Sequence, residues 1–179
     1  MNTGMIPTRY ATALLSFATD KKQEEILYEK AKIIVRNFAE QPKLRAALES
    51  PVLSFEIKKK LMLTAAGSAS DIFFEKFIQL LLTNNRETFL HLIMLKYIDL
   101  YRIKNNIYSG KLITASKIDA LTEKKLTSVI ESQKKGKLEI HKSVDPELIG
   151  GFILEVDNTR WDASIKRQLQ TIKNELAIY

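Results

Sequence analysis

The only side chains here that ordinarily titrate near neutrality are His91 and His141, and they lie fifty positions apart. Neither is spaced to meet a nucleophile or a second ligand, so metal or triad chemistry would require a tertiary proximity that nothing local prescribes. The chain has no cysteine, which removes thiolate catalysis, disulfides and Cys-ligated zinc and fits a reducing compartment. Gly4, Gly67, Gly110, Gly136, Gly150 and Gly151 match neither a phosphate-binding loop nor a dinucleotide fingerprint. Carboxylates are numerous but fall mostly on polar helix faces, where solvation rather than acid–base work is expected. Asp157 and Asp162 flank a turn before Ser164 and are expected to fix it rather than activate water. No catalytic residue, cofactor or metal site follows, and the chain reads as a non-enzyme.

The remaining chemistry is binding. The formal net charge is +7, which inclines the protein toward anionic partners. Residues 1–105 hold sixteen lysines and arginines against eleven carboxylates, so most of the excess sits in the first part. The runs Lys58-Lys59-Lys60 and Lys134-Lys135-Gly136-Lys137 have the charge to meet phosphates, yet neither is interleaved with aromatics that would stack bases. Each reads as a solvated helix face or helix C-terminus, with a basic RNA-binding adaptor as the alternative function.

The elements that must position any binding surface change grammar part-way. At 179 residues and 45% hydrophobic content the chain can build a core. Its longest apolar stretch is broken by Lys96, Asp99 and Arg102, well short of the roughly 20 residues that span a bilayer. The start, MNTGMIPTRY, lacks the regions of a secretory signal. From Pro7 to about Asn105 apolar residues recur at helical spacing, predicting six helices: 7–18, 23–38, 42–48, 55–65, 71–82 and 87–104. Ser54 and Ser70 stand where N-caps belong, Pro42 opens the third helix, and Gly67 lies past the end of the fourth.

Beyond Asn105 the pattern becomes β-rich. Strands are predicted over 107–115, where Gly110 leaves room for a bulge, over 138–142 and over 152–156. A helix is predicted over 119–135, a tight turn over 157–160 leading into Trp161, and a last helix capped by Ser164 and running to about Ala177. The fold class is mainly α, an N-terminal six-helix bundle followed by a small α/β domain.

Three helices carry more apolar surface than a single packing face uses. The sixth, with Phe89, Ile93, Tyr97 and Tyr101 among its apolar residues, is apolar almost all round and should be the buried centre. The first and fifth have arcs of about 200°, against the roughly 100° one face requires. Either both are deeply buried, or they leave a groove for an amphipathic partner helix, with Ala11 and Ala13 allowing close approach. Gly150 and Gly151 either permit a close backbone approach or form a plain turn.

Several segments, taken in order, carry a family likeness: Arg9-Tyr10-Ala11-Thr12-Ala13-Leu14-Leu15, Ser50-Pro51-Val52-Leu53, and the stretch from Phe77 to Arg86 ending Thr83-Asn84-Asn85-Arg86. Val144-Asp145-Pro146-Glu147-Leu148-Ile149-Gly150-Gly151 and Asp162-Ala163-Ser164-Ile165-Lys166-Arg167-Gln168-Leu169 complete it. Together they resemble the delta subunits of F-type ATP synthase, bacterial counterparts of the mitochondrial oligomycin-sensitivity-conferring protein. The resemblance implies a non-catalytic stator component, one copy per complex, peripheral on the cytoplasmic face of the cell membrane. It implies a domain over 1–105 gripping N-terminal helices of alpha subunits, and a domain over 106–179 holding C-terminal helices of the b subunits. Residue by residue, it carries the alpha-helix contact to Tyr10, Ala13, Leu14, Phe17, Phe77, Leu80, Leu81 and Asn84. Gly150, Gly151, Asp162 and Ser164 are expected to be structural in the second domain.

Overall fold

A computed structural model describes residues 5–67, 72–116, 136–156 and 159–176. The chain divides into two compact units, Met1–Ile103 and Lys104–Tyr179. In the first, the described residues form α1 (Met5–Asp20), α2 (Glu24–Glu40), α3 (Pro42–Glu49), α4 (Phe55–Ala65), α5 (Ile72–Thr83) and α6 (Leu90–Lys104), with a 3-10 turn over Glu87–Phe89. Pro42 ends α2 and begins α3, because it disfavours helical backbone at Gln41 (φ −125°, ψ 80°) while fitting a first helical turn.

The ends of α1 and α5 close alike. Asn85 (φ 52°) takes the left-handed conformation, letting the Asn85 amide donate to the Leu82 carbonyl at 3.1 Å and the Arg86 amide to Leu81 at 2.8 Å. Lys22 (φ 54°) does the same after α1, with Gln23 donating to Ala18 at 2.9 Å. Ser54 occupies the N-cap position of α4 in extended backbone but its side chain makes no capping bond. Ser70, the other expected cap, lies outside the described residues.

The core of this unit is built from one stripe per helix. Ala11, Leu14 and Ala18 of α1 are buried, as are Leu27, Ala31 and Ile34 of α2 and Phe74, Ile78 and Leu81 of α5. The expectation of a uniformly buried sixth helix is corrected: Ile93, Met94 and Tyr97 are buried, while Leu92, Leu95 and Ile103 are exposed. Apolar composition around a helix says only that burial is possible; the neighbours cover one side. Tyr97 is fully buried and its hydroxyl donates to the Glu24 carbonyl at 3.1 Å, satisfying the one polar atom it takes inside.

Lys58 also departs from expectation. It is buried rather than part of a solvated basic face, and its Nζ lies 2.7 Å from Glu87 Oε1. This ion pair joins α4 to the turn that opens α6.

The second unit is a four-stranded sheet of order β2-β1-β3-β4, with β1 Ile107–Thr114, β2 Lys137–Val144, β3 Phe152–Val156 and β4 Thr159–Asp162. Strands β1 and β2 run parallel, and β1–β3 and β3–β4 antiparallel. One face gathers Leu112, Leu154 and Val156, with Tyr108, Leu138, Ile140 and Phe152 packed against them. Helix α7 (Ile165–Leu176) follows. The helix expected over Asp119–Lys135 lies outside the described residues.

Two details of the pattern resolve differently here. There is no bulge at Gly110, which pairs in unbroken register with Ile140 and Val156. Its role is steric: a Cβ there would come within 3.1 Å of Val156 Cγ2 and 3.3 Å of the Glu155 carbonyl. Thr159 and Arg160 belong to a strand instead of a turn, with Glu155 opposite Arg160 and Leu154 opposite Trp161. Four residues are too few to show a period, so only the pairing partner reveals β4.

Candidate functional site

On α1, Tyr10, Ala13, Leu14 and Phe17 repeat at i, i+3, i+4 and i+7, and on α5 Phe73, Lys76, Phe77 and Leu80 repeat with the same spacing. That spacing places each set along one helix face. The two faces line a common apolar hollow of about 270 Å³. Phe17, late in α1, stacks on Phe73, early in α5, with ring centroids 4.8 Å apart and planes inclined by 14°. At the opposite end Tyr10 and Ala13 share a hollow of about 400 Å³ with Leu80, Ile6, Arg9 and Arg86. The helices therefore run antiparallel.

Leu14 and Phe77 are buried and make the floor. Phe17 and Leu80 keep 48% and 50% of their surfaces exposed and make the rims. A third hollow, lined by Met5, Thr8, Arg9 and Thr12, also reaches Ala13. Ala13 thus stands where all three meet, and its single methyl leaves that junction open.

The predicted contact set is placed unevenly. Tyr10, Ala13, Leu14, Phe17, Phe77 and Leu80 line the groove. Leu81 does not, because it is fully buried on the core side of α5. Asn84 is exposed but turned back on its own helix, its amide donating to the Leu80 carbonyl at 2.8 Å. Sequence reasoning missed Phe73, Lys76, Arg9 and Arg86 as lining residues. The repeat on α5, matching that on α1, could have found the first two.

In the second unit the expected structural residues form one connected turn. Asp162 Oδ1 accepts from the Ser164 hydroxyl at 2.6 Å and from its amide at 3.1 Å, and Ser164 Oγ accepts from the Arg167 amide at 3.2 Å. Ser164 thereby caps α7. The two Ser164 hydrogen bonds, hydroxyl first, hold the Asp162 carboxyl below its ordinary pKa. Gly151 has φ +76°, and a Cβ there would collide with the Ala163 carbonyl. The Gly150 carbonyl accepts the Ile165 amide at 3.0 Å. The pair is therefore a close backbone approach and more than a plain turn. Asp157 lies outside the described residues.

A second apolar surface lies on α7. Ile165, Leu169, Ile172 and Leu176 recur at spacings of four, three and four, and each is between 41% and 71% exposed. This is the seam spacing of a coiled-coil helix.

The histidines remain apart from all this. The His91 ring stacks on Phe38 with centroids 5.2 Å apart, and burial, then the Arg45 charge, lowers its pKa. His141 is exposed on β2. Among the described residues no group of three His, Asp or Glu side chains could hold a metal ion.

The family model for the ATP synthase delta (OSCP) subunit matches residues 6–176. The chain belongs to that family. "ATP synthase subunit delta" of Phocaeicola vulgatus is 38% identical over 176 residues, spanning 98% of this chain and 95% of the relative. The protein of the same name from Parabacteroides distasonis is 38% identical over 176 residues, covering 98% of both. That from Flavobacterium johnsoniae is 30% identical over 169 residues, covering 94% and 95%. A chain in the cryo-EM structure of the Toxoplasma gondii mitochondrial ATP synthase hexamer shares the fold, with a TM-score of 0.65 at 19% identity over 96% of this chain and 97% of that one.

Family membership makes this delta-type chain a non-catalytic peripheral-stalk subunit of F-type ATP synthase, peripheral to the membrane. No helix among the described residues is long and apolar enough to cross one. None of the likenesses supports the alternative of an RNA-binding adaptor.

Proposed function

We propose that this subunit is a two-ended clamp: residues 1–105, a six-helix bundle, grip an N-terminal helix of an alpha subunit, and residues 106–179 hold C-terminal helices of the b subunits. One copy would serve each complex, at the cytoplasmic face of the membrane. Such a link keeps the catalytic head from turning with the rotor, so torque is spent on the head's chemistry. The observation that carries the reading is the α1–α5 groove, an apolar floor with exposed aromatic and leucine rims that converges on Ala13. From Ile6 to Phe17 it runs ~17 Å along α1, the length of about three turns of a docked helix. The α7 seam supports the second attachment, since a heptad-spaced apolar stripe fits helices that already form a coiled coil.

The two ends separate experimentally. With the full chain, Ala13→Asp should abolish capture of the alpha subunit while leaving capture of the b subunits intact, and Leu169→Asp should do the reverse. Undiminished alpha-subunit capture by Ala13→Asp refutes the groove assignment. Undiminished b capture by Leu169→Asp refutes the seam.

A further inference from the structure

The groove is apolar along its floor and cationic at its edges. Arg9 and Arg86 line the hollow at its Tyr10–Leu80 end, and Lys76 lines its middle. Among the described residues no aspartate or glutamate lines any of the three hollows. Among the described residues none of these three cations has a carboxylate partner. Elsewhere in the same unit five basic side chains are paired: Lys32 with Glu29, Arg36 with Glu40, Arg45 with Glu49, Lys58 with Glu87 and Lys96 with Asp99. The Arg86 guanidinium lies over the face of the Phe89 ring, 6.0 Å from its centroid. Its position follows from the left-handed Asn85, which turns the chain at the end of α5 and returns Arg86 to the groove.

We infer that the groove selects an acidic amphipathic helix, one whose apolar stripe is flanked by carboxylates that pair with Arg9 and Arg86 at one end and with Lys76 alongside. This rests on the reading of the groove as a helix-docking site and adds the chemistry of its occupant. The apolar floor supplies contact area, which any amphipathic helix can fill. The unpaired cations supply the discrimination, since a cationic helix would meet like charge in three places. A helix of the wrong sign would be rejected before its apolar face was seated. Because the cations are at the rim, they should act on association rate and salt dependence more than on a buried contact.

The test uses the full-length protein and two synthetic helical peptides of one apolar stripe, flanked by glutamates in one and by lysines in the other. The glutamate peptide should bind about tenfold or more tightly than the lysine peptide and weaken as salt rises. Arg9→Glu with Arg86→Glu should weaken the glutamate peptide by about tenfold and strengthen the lysine peptide, with an unchanged melting temperature. Equal affinity for the two peptides, or a glutamate peptide indifferent to the double reversal, overturns the inference. Ala13→Trp plugs the groove without touching charge and separates the two ideas. If the plug abolishes binding but charge reversal does nothing, the groove stands and only its electrostatic selectivity fails. If the plug changes nothing, the docking reading itself fails. Binding to phosphatidylglycerol vesicles, or self-association, that the glutamate peptide does not displace would assign the cations to a lipid surface or a second copy and also overturn the inference.

Discussion

Phe17 and Phe73 stack face to face, 4.8 Å between centroids, at one end of the α1–α5 groove, and yet nearly half of Phe17 remains exposed. The pair is both a tie between two antiparallel helices and part of the surface a partner would cover. Phe17→Ala should lower stability by about 1 kcal/mol, the worth of one stacked pair, measured by chemical denaturation. It should weaken capture of the alpha subunit by more than that loss explains.

Ala13→Asp tests the other end. The position is exposed, so the variant should stay folded and melt within roughly 3 °C of the parent, a loss set mainly by helix propensity. Docking would bury the new carboxylate in an apolar junction, costing several kcal/mol in binding. A pull-down with the catalytic head, paired with a thermal melt, checks both halves.

Lys58 and Glu87 form a nearly buried ion pair, and among the described residues Glu87 Oε2 has no hydrogen-bond partner. Lys58→Ala leaves a carboxylate stranded and should destabilise by on the order of 3 kcal/mol. Replacing both by Met and Leu should recover most of that loss, because an apolar pair removes the desolvation cost of both charges. Urea unfolding of the single and double variants gives the comparison.

Asp162 has a carboxyl pKa held below its ordinary value of 3.8 by the Ser164 hydroxyl and amide. A carboxylate whose folded pKa is depressed contributes stability that is present above the unfolded value and is lost as pH falls through the folded one. Asp162→Asn should therefore melt below the parent at pH 7, with the gap closing below about pH 4. Melting curves across pH 2.5–7 read this directly. Ser164→Ala, which removes the α7 cap, should cost about 1 kcal/mol.

Gly151→Ala faces both a left-handed φ of +76° and a collision with the Ala163 carbonyl. The loss should exceed the roughly 1 kcal/mol of left-handed backbone alone. Gly150→Ala meets only the flexible Ile165 side chain and should lose less. Denaturation of the two variants side by side orders them.

Local order in this molecule was legible before its packing was. Helix α4 begins and ends at the residues its pattern predicts, and the Gln41-Pro42 break and the Ser164 cap arise from constraints within a few residues. Such features depend on neighbours along the chain, so period and capping chemistry determine them. The surplus apolar arcs on α1 and α5 were equally plain, as was the family likeness.

Which part of each arc meets solvent is a property of the neighbours across space. Leu81 and Leu80 are adjacent on one helix, yet one is fully buried in the core and the other half exposed on the groove rim. Lys58 sits in a basic run and is buried because Glu87, twenty-nine positions away, is brought to it. Thr159–Asp162 is a strand because β3 offers a partner. The sequence by itself determined the helical periods of the first unit, the Ser164 cap and the surplus of apolar surface. Only the tertiary structure decided that the surplus is a groove ending in Arg9 and Arg86, because periodicity assigns a residue to a face while burial is set by whatever packs on it.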